Sequence, residues 1–184
     1  PLTLDDRATV SDALAQQPRE HSELTFTNLF IWREAYQLQL SEVDGALLIW
    51  ALCADPRDSF LFPPLGDSAN AQTVRRCLKH MAGTGRTAVM ARATQSDLQR
   101  LSVTEAEFVV EPDRDSWDYV YLVKELIELS GNRYHRKRNQ IEQFRTQHRI
   151  EYRRLTRDLV PACQGLQDKW CDERQCDLVA TLRA

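Results

Sequence analysis

Several features that would identify a common class of protein are missing from this sequence. No uninterrupted apolar run approaches the roughly 18 residues of a membrane-spanning helix, and the apolar residues 47–52 have only the length of a strand. There is no signal-peptide pattern and no Gly-x-Ser-x-Gly, Walker A or His-Glu-x-x-His motif. The sequence therefore indicates neither a membrane span nor secretion, and it contains none of these common catalytic signatures.

The cysteines also lack a recognisable pattern. They number five, which is odd, and no two of them form a Cys-x-x-Cys pair. The spacing of Cys163, Cys171 and Cys176 matches no zinc motif, and no His lies near them. We therefore expect neither a disulfide framework nor a metal site, and we expect a reducing, cytoplasmic location.

What remains has the composition of an ordinary globular protein. The 184 residues, 42 % of them hydrophobic and 28 % charged, suffice for one domain, or for one domain and part of a second. The chain begins at Pro1 without a Met, and residues 176–184 stop within an amphipathic pattern that has no cap or turn. We therefore expect that the sequence is a piece of a longer protein.

Hydrophobic periodicity and turn residues predict an irregular alternation of helices and strands. Helices are predicted from a capping box at Thr3, from Thr27, over residues 71–81, from a capping box at Ser96, over residues 124–129 and 133–147, and from near Asp158. Strands are predicted over residues 37–42 and 46–52, which an Asp-Gly hairpin turn joins, and over residues 87–91, 107–111, 117–123 and 150–155. Residues 60–66 can start as a strand but must leave the ladder at their prolines. This order predicts an α+β fold, a mixed α/β sandwich rather than a doubly wound nucleotide-binding fold.

The densest charge lies in a basic segment, residues 131–157, which contains nine Lys and Arg but only two Glu. The basic segment carries +7 in a chain whose net charge is −3, so the rest of the chain carries −10. Such a division of charge favours an anionic partner at one place on the surface.

A helical wheel divides the basic segment into faces. An apolar stripe, expected to anchor the helix, is formed by Tyr134, Ile141, Phe144 and His148. Lys137 falls inside the stripe, and Arg138 and Arg145 lie at its edge. Beyond that edge come His135 and Asn139.

Three interpretations of this helix remain open. It can be a surface helix whose Lys and Arg stems cover apolar neighbours, which is the usual role of a charge run. It can be a phosphate site, in which Lys137 and Arg138 bind the phosphate and Asn139 is a neutral donor. It can also be a broader nucleic-acid surface whose backbone contacts come from Arg145, Arg149, Arg153 and Arg154.

The candidate ligand-binding residues are therefore Lys137, Arg138, Asn139, His135 and Arg145. His135 is included because it is the only one of the four His in dense polar surroundings, and its role stays open. The sequence identifies no catalytic residue and no metal ligand.

Two other segments are weaker candidates. The glycines of residues 80–85 are similar to a loop that binds the pyrophosphate of acyl-CoA, but such a loop precedes a helix, whereas these glycines follow one. We therefore expect Gly83 and Gly85 to cap that helix. A cluster of carboxylates formed by Glu111, Asp113, Asp115 and Asp118 offers an acid–base pair, but a solvated turn explains it better because nothing apolar lies there to raise a pKa.

Four motifs that cover nearly the whole chain carry a resemblance to a known family. They are TFTNLFIWR at residues 25–33, FPPLG at 62–66, DYVY at 118–121 and YHRKRNQI at 134–141. In this order they resemble an uncharacterised bacterial family named after the C-terminal domain of phosphatidylglycerol lysyltransferase. The resemblance implies tandem acetyltransferase-like (GNAT) units, here a first unit over residues 1–130 and the start of a second over residues 131–184. It also implies a mostly antiparallel sheet flanked by helices.

The same resemblance implies an aminoacyl- or acyltransferase. Related enzymes take an aminoacyl group from a charged tRNA, and they carry a basic helix near the junction of their units; here Lys137, Arg138 and Asn139 would match it. The expected donor is aminoacyl-tRNA or acyl-CoA, and no other cofactor is implied. The membrane-embedded part of the lysyltransferases is absent from this sequence, so a lipid acceptor is not implied. The alternative is a non-enzymatic module that binds RNA or another polyanion.

Overall fold

The computed structural model describes residues 1–16 and 21–176. Within them the chain forms two compact units, residues 1–118 and a second unit that begins at Tyr119. The two GNAT-like units that the sequence analysis expected, over residues 1–130 and 131–184, stay a prediction. The predicted end of the first helix at Pro18 and most of the uncapped pattern over residues 176–184 lie outside the described residues.

The first unit is an α+β structure built around a small sheet. Its helices are α1 (Arg7–Ala15), α2 (Phe26–Trp32), α3 (Ala71–Gly83) and α4 (Gln95–Arg100), and short 3₁₀ helices cover Leu4–Asp6, Pro56–Asp58 and Arg114–Ser116. Its strands are β1 (Leu38–Val43), β2 (Ala46–Ala51) and β3 (Phe60–Leu61). The three strands form an antiparallel sheet in the order β1-β2-β3.

The predicted hairpin between β1 and β2 is confirmed. Asp44 and Gly45 both have positive φ, 53° and 79°, which is the conformation that a two-residue turn needs to match the twist of its strands. The turn sets the register, with Val43 opposite Ala46 and Leu38 opposite Ala51. β3 ends where Pro63 and Pro64 follow, as predicted, because proline cannot donate to the ladder.

The core of the first unit lies on both faces of β2. Ile49 and Ala51 belong to a cluster with Val10 of α1 and Leu29 of α2. Leu48, on the opposite face, packs with Cys77 and Met81 of α3, and Ala46 joins a third cluster around Val74 and Leu101. The sheet is thus the middle of three layers, and this explains why β2 is apolar on both sides.

Side-chain caps begin the helices beside the sheet. The Asn70 side chain accepts hydrogen bonds from the backbone N–H groups of Gln72 and Thr73 at the start of α3, at 2.9 and 3.2 Å. α4 has a capping box between Thr94 and Asp97. The prediction that a capping box opens at Ser96 is therefore wrong by two residues. The sequence allows either box, because Thr94 lies three residues before Asp97 and Ser96 lies three residues before Gln99.

The second unit, as far as it is described, is helical. It contains α5 (Val123–Glu128), α6 (His135–Gln147) and α7 (Val160–Arg174), with 3₁₀ helices at Asn132–Tyr134 and Arg157–Leu159. These bounds agree with the predicted helices over residues 124–129, 133–147 and from near Asp158.

Four predicted strands are wrong. Within residues 1–16 and 21–176, residues 107–111, 117–123 and 150–155 pair with no strand, and residues 87–91 contribute only an isolated bridge between Met90 and Leu61. The apolar and β-branched residues of these segments have strand propensity, but a strand exists only when its backbone pairs with a neighbour. Tyr119 and Val120, for example, are 88 % and 86 % exposed.

None of the helices in the described part of the chain has both the length and the apolar composition that crossing a bilayer requires.

Candidate functional site

Helix α6 contains all five residues that the sequence analysis proposed for ligand binding. The helix is exposed along its whole length, and it contains no buried residue. The apolar stripe was predicted to anchor it, but Ile141 and Phe144 are 39 % and 53 % exposed. This prediction is wrong for the described residues, because none of the three buried clusters extends into the second unit.

Arg138 has a definite position on α6. Its Nη1 donates hydrogen bonds to the backbone oxygens of Leu129 and Gly131, the second at 2.9 Å. These carbonyls lie just after α5, whose C-terminal cap, Leu129, has the left-handed conformation. Arg138 therefore ties the turn after α5 to α6, while its Nη2 and Nε make no hydrogen bond to the described residues.

The other proposed residues are less constrained. The Asn139 side-chain nitrogen lies 3.1 Å from Nε2 of His135, one turn earlier on the same face. Arg145 forms a loose ion pair with Glu142 at 3.9 Å. Lys137 makes no ion pair or hydrogen bond with any described residue. The structure thus brings His135 and Asn139 together and leaves the Lys137 ammonium to solvent.

The basic segment contains more cations than its neighbours neutralise. Arg133 pairs with Glu125, Arg153 with Glu151, and Arg145 with Glu142. Within residues 1–16 and 21–176, five others have neither an ion pair nor a hydrogen bond: Arg136, Lys137, Arg149, Arg154 and Arg157. All five are exposed. Their positive charge is therefore available to an anion from outside the chain.

A second candidate site is a cleft in the first unit. The cleft has a volume of about 360 Å³ and is lined by His21, Glu23, residues 92–95, Ser116, Trp117 and Asp118. Arg92 contacts Glu23 at 3.1 Å and Asp113 at 3.0 Å. Arg92 also has a positive φ of 60°, a conformation that is uncommon for residues with a side chain.

Asp118 joins two distant segments at this cleft. Its carboxylate oxygens accept hydrogen bonds from the backbone N–H and the hydroxyl of Ser22, each at 2.7 Å. These two bonds, with a smaller contribution from the charge of His21, hold the pKa of Asp118 below its ordinary value of about 3.8. Asp118 is therefore ionised at neutral pH.

The cleft was not predicted from the sequence. The carboxylates at residues 111–118 were interpreted as a solvated turn, yet Asp113 and Asp118 contact Arg92 and Ser22. Nothing in the local pattern shows this, because Ser22 and Asp118 are 96 residues apart. The one local signal was the concentration of acidic residues.

The predicted cap at the end of α3 is confirmed. Gly83 is the last residue of the helix, and the N–H groups of Gly85 and Arg86 donate to the carbonyls of Ala82 and Met81. These N–H groups are therefore occupied by the helix end and do not face outward as in a pyrophosphate loop.

The two units define the class of this protein as α+β, with a small antiparallel sheet between helices in the first unit. Comparison with known families narrows the class. Residues 14–184 match the family described as phosphatidylglycerol lysyltransferase, C-terminal. The chain belongs to this family, which confirms the resemblance seen in the four motifs. A comparison with curated proteins gives no match.

One similar solved structure is a conserved protein of unknown function from Bacteroides thetaiotaomicron. It has 26 % sequence identity to this chain and a TM-score of 0.77. The match covers 97 % of this chain but 60 % of that protein, so the chain spans less than two thirds of its length.

Proposed function

We propose that this chain is part of an aminoacyl- or acyltransferase built from GNAT-like units, and that its basic segment binds the phosphates of the donor. Family membership supports the reaction class, since the family takes its name from a lysyltransferase. The observation that carries the proposal is the set of five exposed cations in residues 136–157 that the described chain leaves without a counter-charge.

Aminoacyl-tRNA is the donor that this arrangement favours. The five cations are spread over 22 residues of sequence, on α6 and on the segment that follows it. The backbone of a nucleic acid has many phosphates and can contact a series of cations along its length. Acyl-CoA, in contrast, is usually bound through a compact loop of free N–H groups. The glycines that came nearest to such a loop serve as the cap of α3.

Arg138 and Asn139 would add specific contacts beside these cations. Because Nη1 of Arg138 is already held by two carbonyls, the guanidinium is oriented before a ligand binds. Its remaining N–H groups are free to donate to a phosphate, and a charge-assisted hydrogen bond of this kind is stronger than a neutral one. Asn139 and His135 offer neutral donors on the neighbouring face.

Such an enzyme needs little covalent chemistry from the protein. The aminoacyl ester of a charged tRNA is already activated, so transfer depends on holding the ester near an amine and on stabilising the oxyanion that develops. The basic segment would supply the first requirement.

The alternative function is a non-enzymatic RNA-binding module. The same unpaired cations favour it, because a stripe of exposed Lys and Arg binds nucleic acid without any reaction. The two functions agree on the partner and differ on transfer.

The test is a titration of the protein with aminoacyl-tRNA and with acyl-CoA at low salt. We expect aminoacyl-tRNA to bind with micromolar or tighter affinity, and the Arg136→Ala/Lys137→Ala double substitution to weaken it about tenfold, since it removes two cations near the phosphates. The matched control is Arg7→Ala/Lys79→Ala, which removes the same charge from exposed positions of the first unit.

Three outcomes decide between the functions. Failure of both donors to bind better than micromolar would show that the donor assignment is wrong. Equal weakening by the control variant would show that only net charge matters and that the basic segment is not the site. Binding without transfer of the aminoacyl group to any supplied amine would favour the RNA-binding module.

A further inference from the structure

The cleft of the first unit is separate in sequence from the basic segment and has the opposite charge. Its volume of about 360 Å³ falls in the range of roughly 300–1,000 Å³ that is typical of small-ligand sites. All the residues that line it belong to the first unit. We therefore expect the cleft and the basic segment to bind different ligands.

The charges around the cleft do not cancel. Arg92 is shared between two carboxylates, those of Glu23 and Asp113. The carboxylate of Asp118 is held by the N–H and hydroxyl of Ser22, which are neutral donors. The three carboxylates of Glu23, Asp113 and Asp118, counted against the guanidinium groups of Arg92 and of Arg114 beside Trp117, leave a formal charge of −1. This excess favours a cationic ligand.

The carboxylates are also held in place before any ligand arrives. Nε of Arg92 lies 3.1 Å from both carboxylate oxygens of Glu23, and the two oxygens of Asp118 are fixed by separate bonds to Ser22. A carboxylate oxygen can accept more than one hydrogen bond, so the carboxylates of Glu23 and Asp118 can still accept hydrogen bonds from a ligand. A ligand that binds here therefore does not have to order them.

An exposed indole completes the lining. Trp117 is 60 % exposed, and the guanidinium carbon of Arg114 lies 5.0 Å from its ring centroid. The ring is thus already in a cation–π interaction with one cation of the chain. An aromatic ring beside carboxylates is the combination that recognises organic ammonium ions, because the ring contacts the carbon stem and the carboxylates bind the N–H groups.

We propose that this cleft binds a small primary ammonium ion with an apolar stem, through the carboxylates of Glu23 and Asp118 and the ring of Trp117. The site does not depend on the donor site of the second unit. The two are tested with different ligands, so the failure of one leaves the other standing.

The first experiment compares three probes of equal length by isothermal titration calorimetry on the full chain. Hexylammonium is the cation, 1-hexanol its neutral counterpart and hexanoate its anionic counterpart. We expect hexylammonium to bind with a millimolar or lower Kd, and the other two to bind at least tenfold more weakly. Equal affinity for hexylammonium and hexanol, or no binding of hexylammonium, would overturn the proposal.

The second experiment locates the binding. Asp118→Asn keeps the shape of the side chain and removes its charge, and we expect it to weaken hexylammonium binding at least fivefold. Asp115→Asn is the matched control, because Asp115 is exposed in the same turn, does not line the cleft, and should leave the affinity unchanged.

A third variant guards against a loss of binding that arises only from misfolding. Trp117→Leu removes the ring at a position that is more than half exposed, where the fold depends on it little. We expect it to weaken hexylammonium binding severalfold with an unchanged thermal melt. Wild-type affinity in either Asp118→Asn or Trp117→Leu would overturn the site assignment.

Discussion

The carboxylate of Asp118 shows how one residue can join segments that the sequence keeps far apart. It ends the first unit, and it is bonded through both oxygens to Ser22. The cluster of acidic residues around it was visible in the sequence, but its partners were not, because they come from residues 22 and 92. A sequence pattern indicates only contacts between residues that are close along the chain, and the contact of Asp118 with Ser22 joins residues that are far apart.

The Ser22–Asp118 contact predicts a pH dependence. The pKa of Asp118 in the folded protein is lowered, so the contact contributes stability above the ordinary pKa of about 3.8 and loses it as the pH falls through the lower folded value. Ser22→Ala removes one of the two donors and should raise the pKa of Asp118 partway toward 3.8. An NMR titration of the Asp118 carboxyl carbon measures this.

The control for that titration is Ser130→Ala, which removes a hydroxyl from an exposed position of the second unit. It should leave the pKa of Asp118 unchanged. If Ser22→Ala also leaves it unchanged, the hydroxyl of Ser22 does not hold the carboxylate in solution.

Arg138 is predicted to stabilise the second unit as well as to bind phosphate. Arg138→Ala removes the hydrogen bonds from its guanidinium to the carbonyls of Leu129 and Gly131, and it should cost about 1 kcal/mol of unfolding free energy. Arg136→Ala, on the same helix and without a partner among the described residues, should change it by less than about 0.5 kcal/mol. Urea denaturation measures both, and equal values would contradict a structural role for Arg138.

At the scale of helices and strands, the sequence predicted best what is decided locally. The Asp-Gly turn, the proline stop after β3, and the helices over residues 71–81 and 133–147 follow from turn chemistry and periodicity. The wrong strands at residues 107–111, 117–123 and 150–155 share one cause. Their residues have strand propensity, but pairing depends on a neighbour that a single segment cannot specify.

The cap of α3 offers a test at this scale. Asn70→Ala removes the acceptor for the N–H groups of Gln72 and Thr73, and it should destabilise the first unit by about 1 kcal/mol. The control is Lys79→Ala, at an exposed position on the same helix that makes no ion pair or hydrogen bond with the described residues. Thermal unfolding followed by circular dichroism compares them. An Asn70→Ala variant as stable as the control would show that the cap contributes nothing measurable.

At the scale of the whole molecule, charge and core are distributed unevenly. The three buried clusters lie in the first unit, whereas the unpaired cations of the basic segment lie in the second. Composition alone revealed the basic segment, because +7 in 27 residues needs no structure to be seen. Which of its cations are free could not be predicted, since that depends on where Glu125, Glu142 and Glu151 lie.

Salt dependence tests whether the free cations of the basic segment bind the phosphates of a nucleic acid. Each neutralised phosphate contributes roughly −0.7 to −0.9 to the slope of log K against log salt concentration. For tRNA binding we predict a steep negative slope, and we predict that Arg149→Ala/Arg154→Ala/Arg157→Ala reduces its magnitude by about 2. A flat salt dependence, or a slope that this triple substitution leaves unchanged, would show that these cations do not bind the phosphates of the nucleic acid.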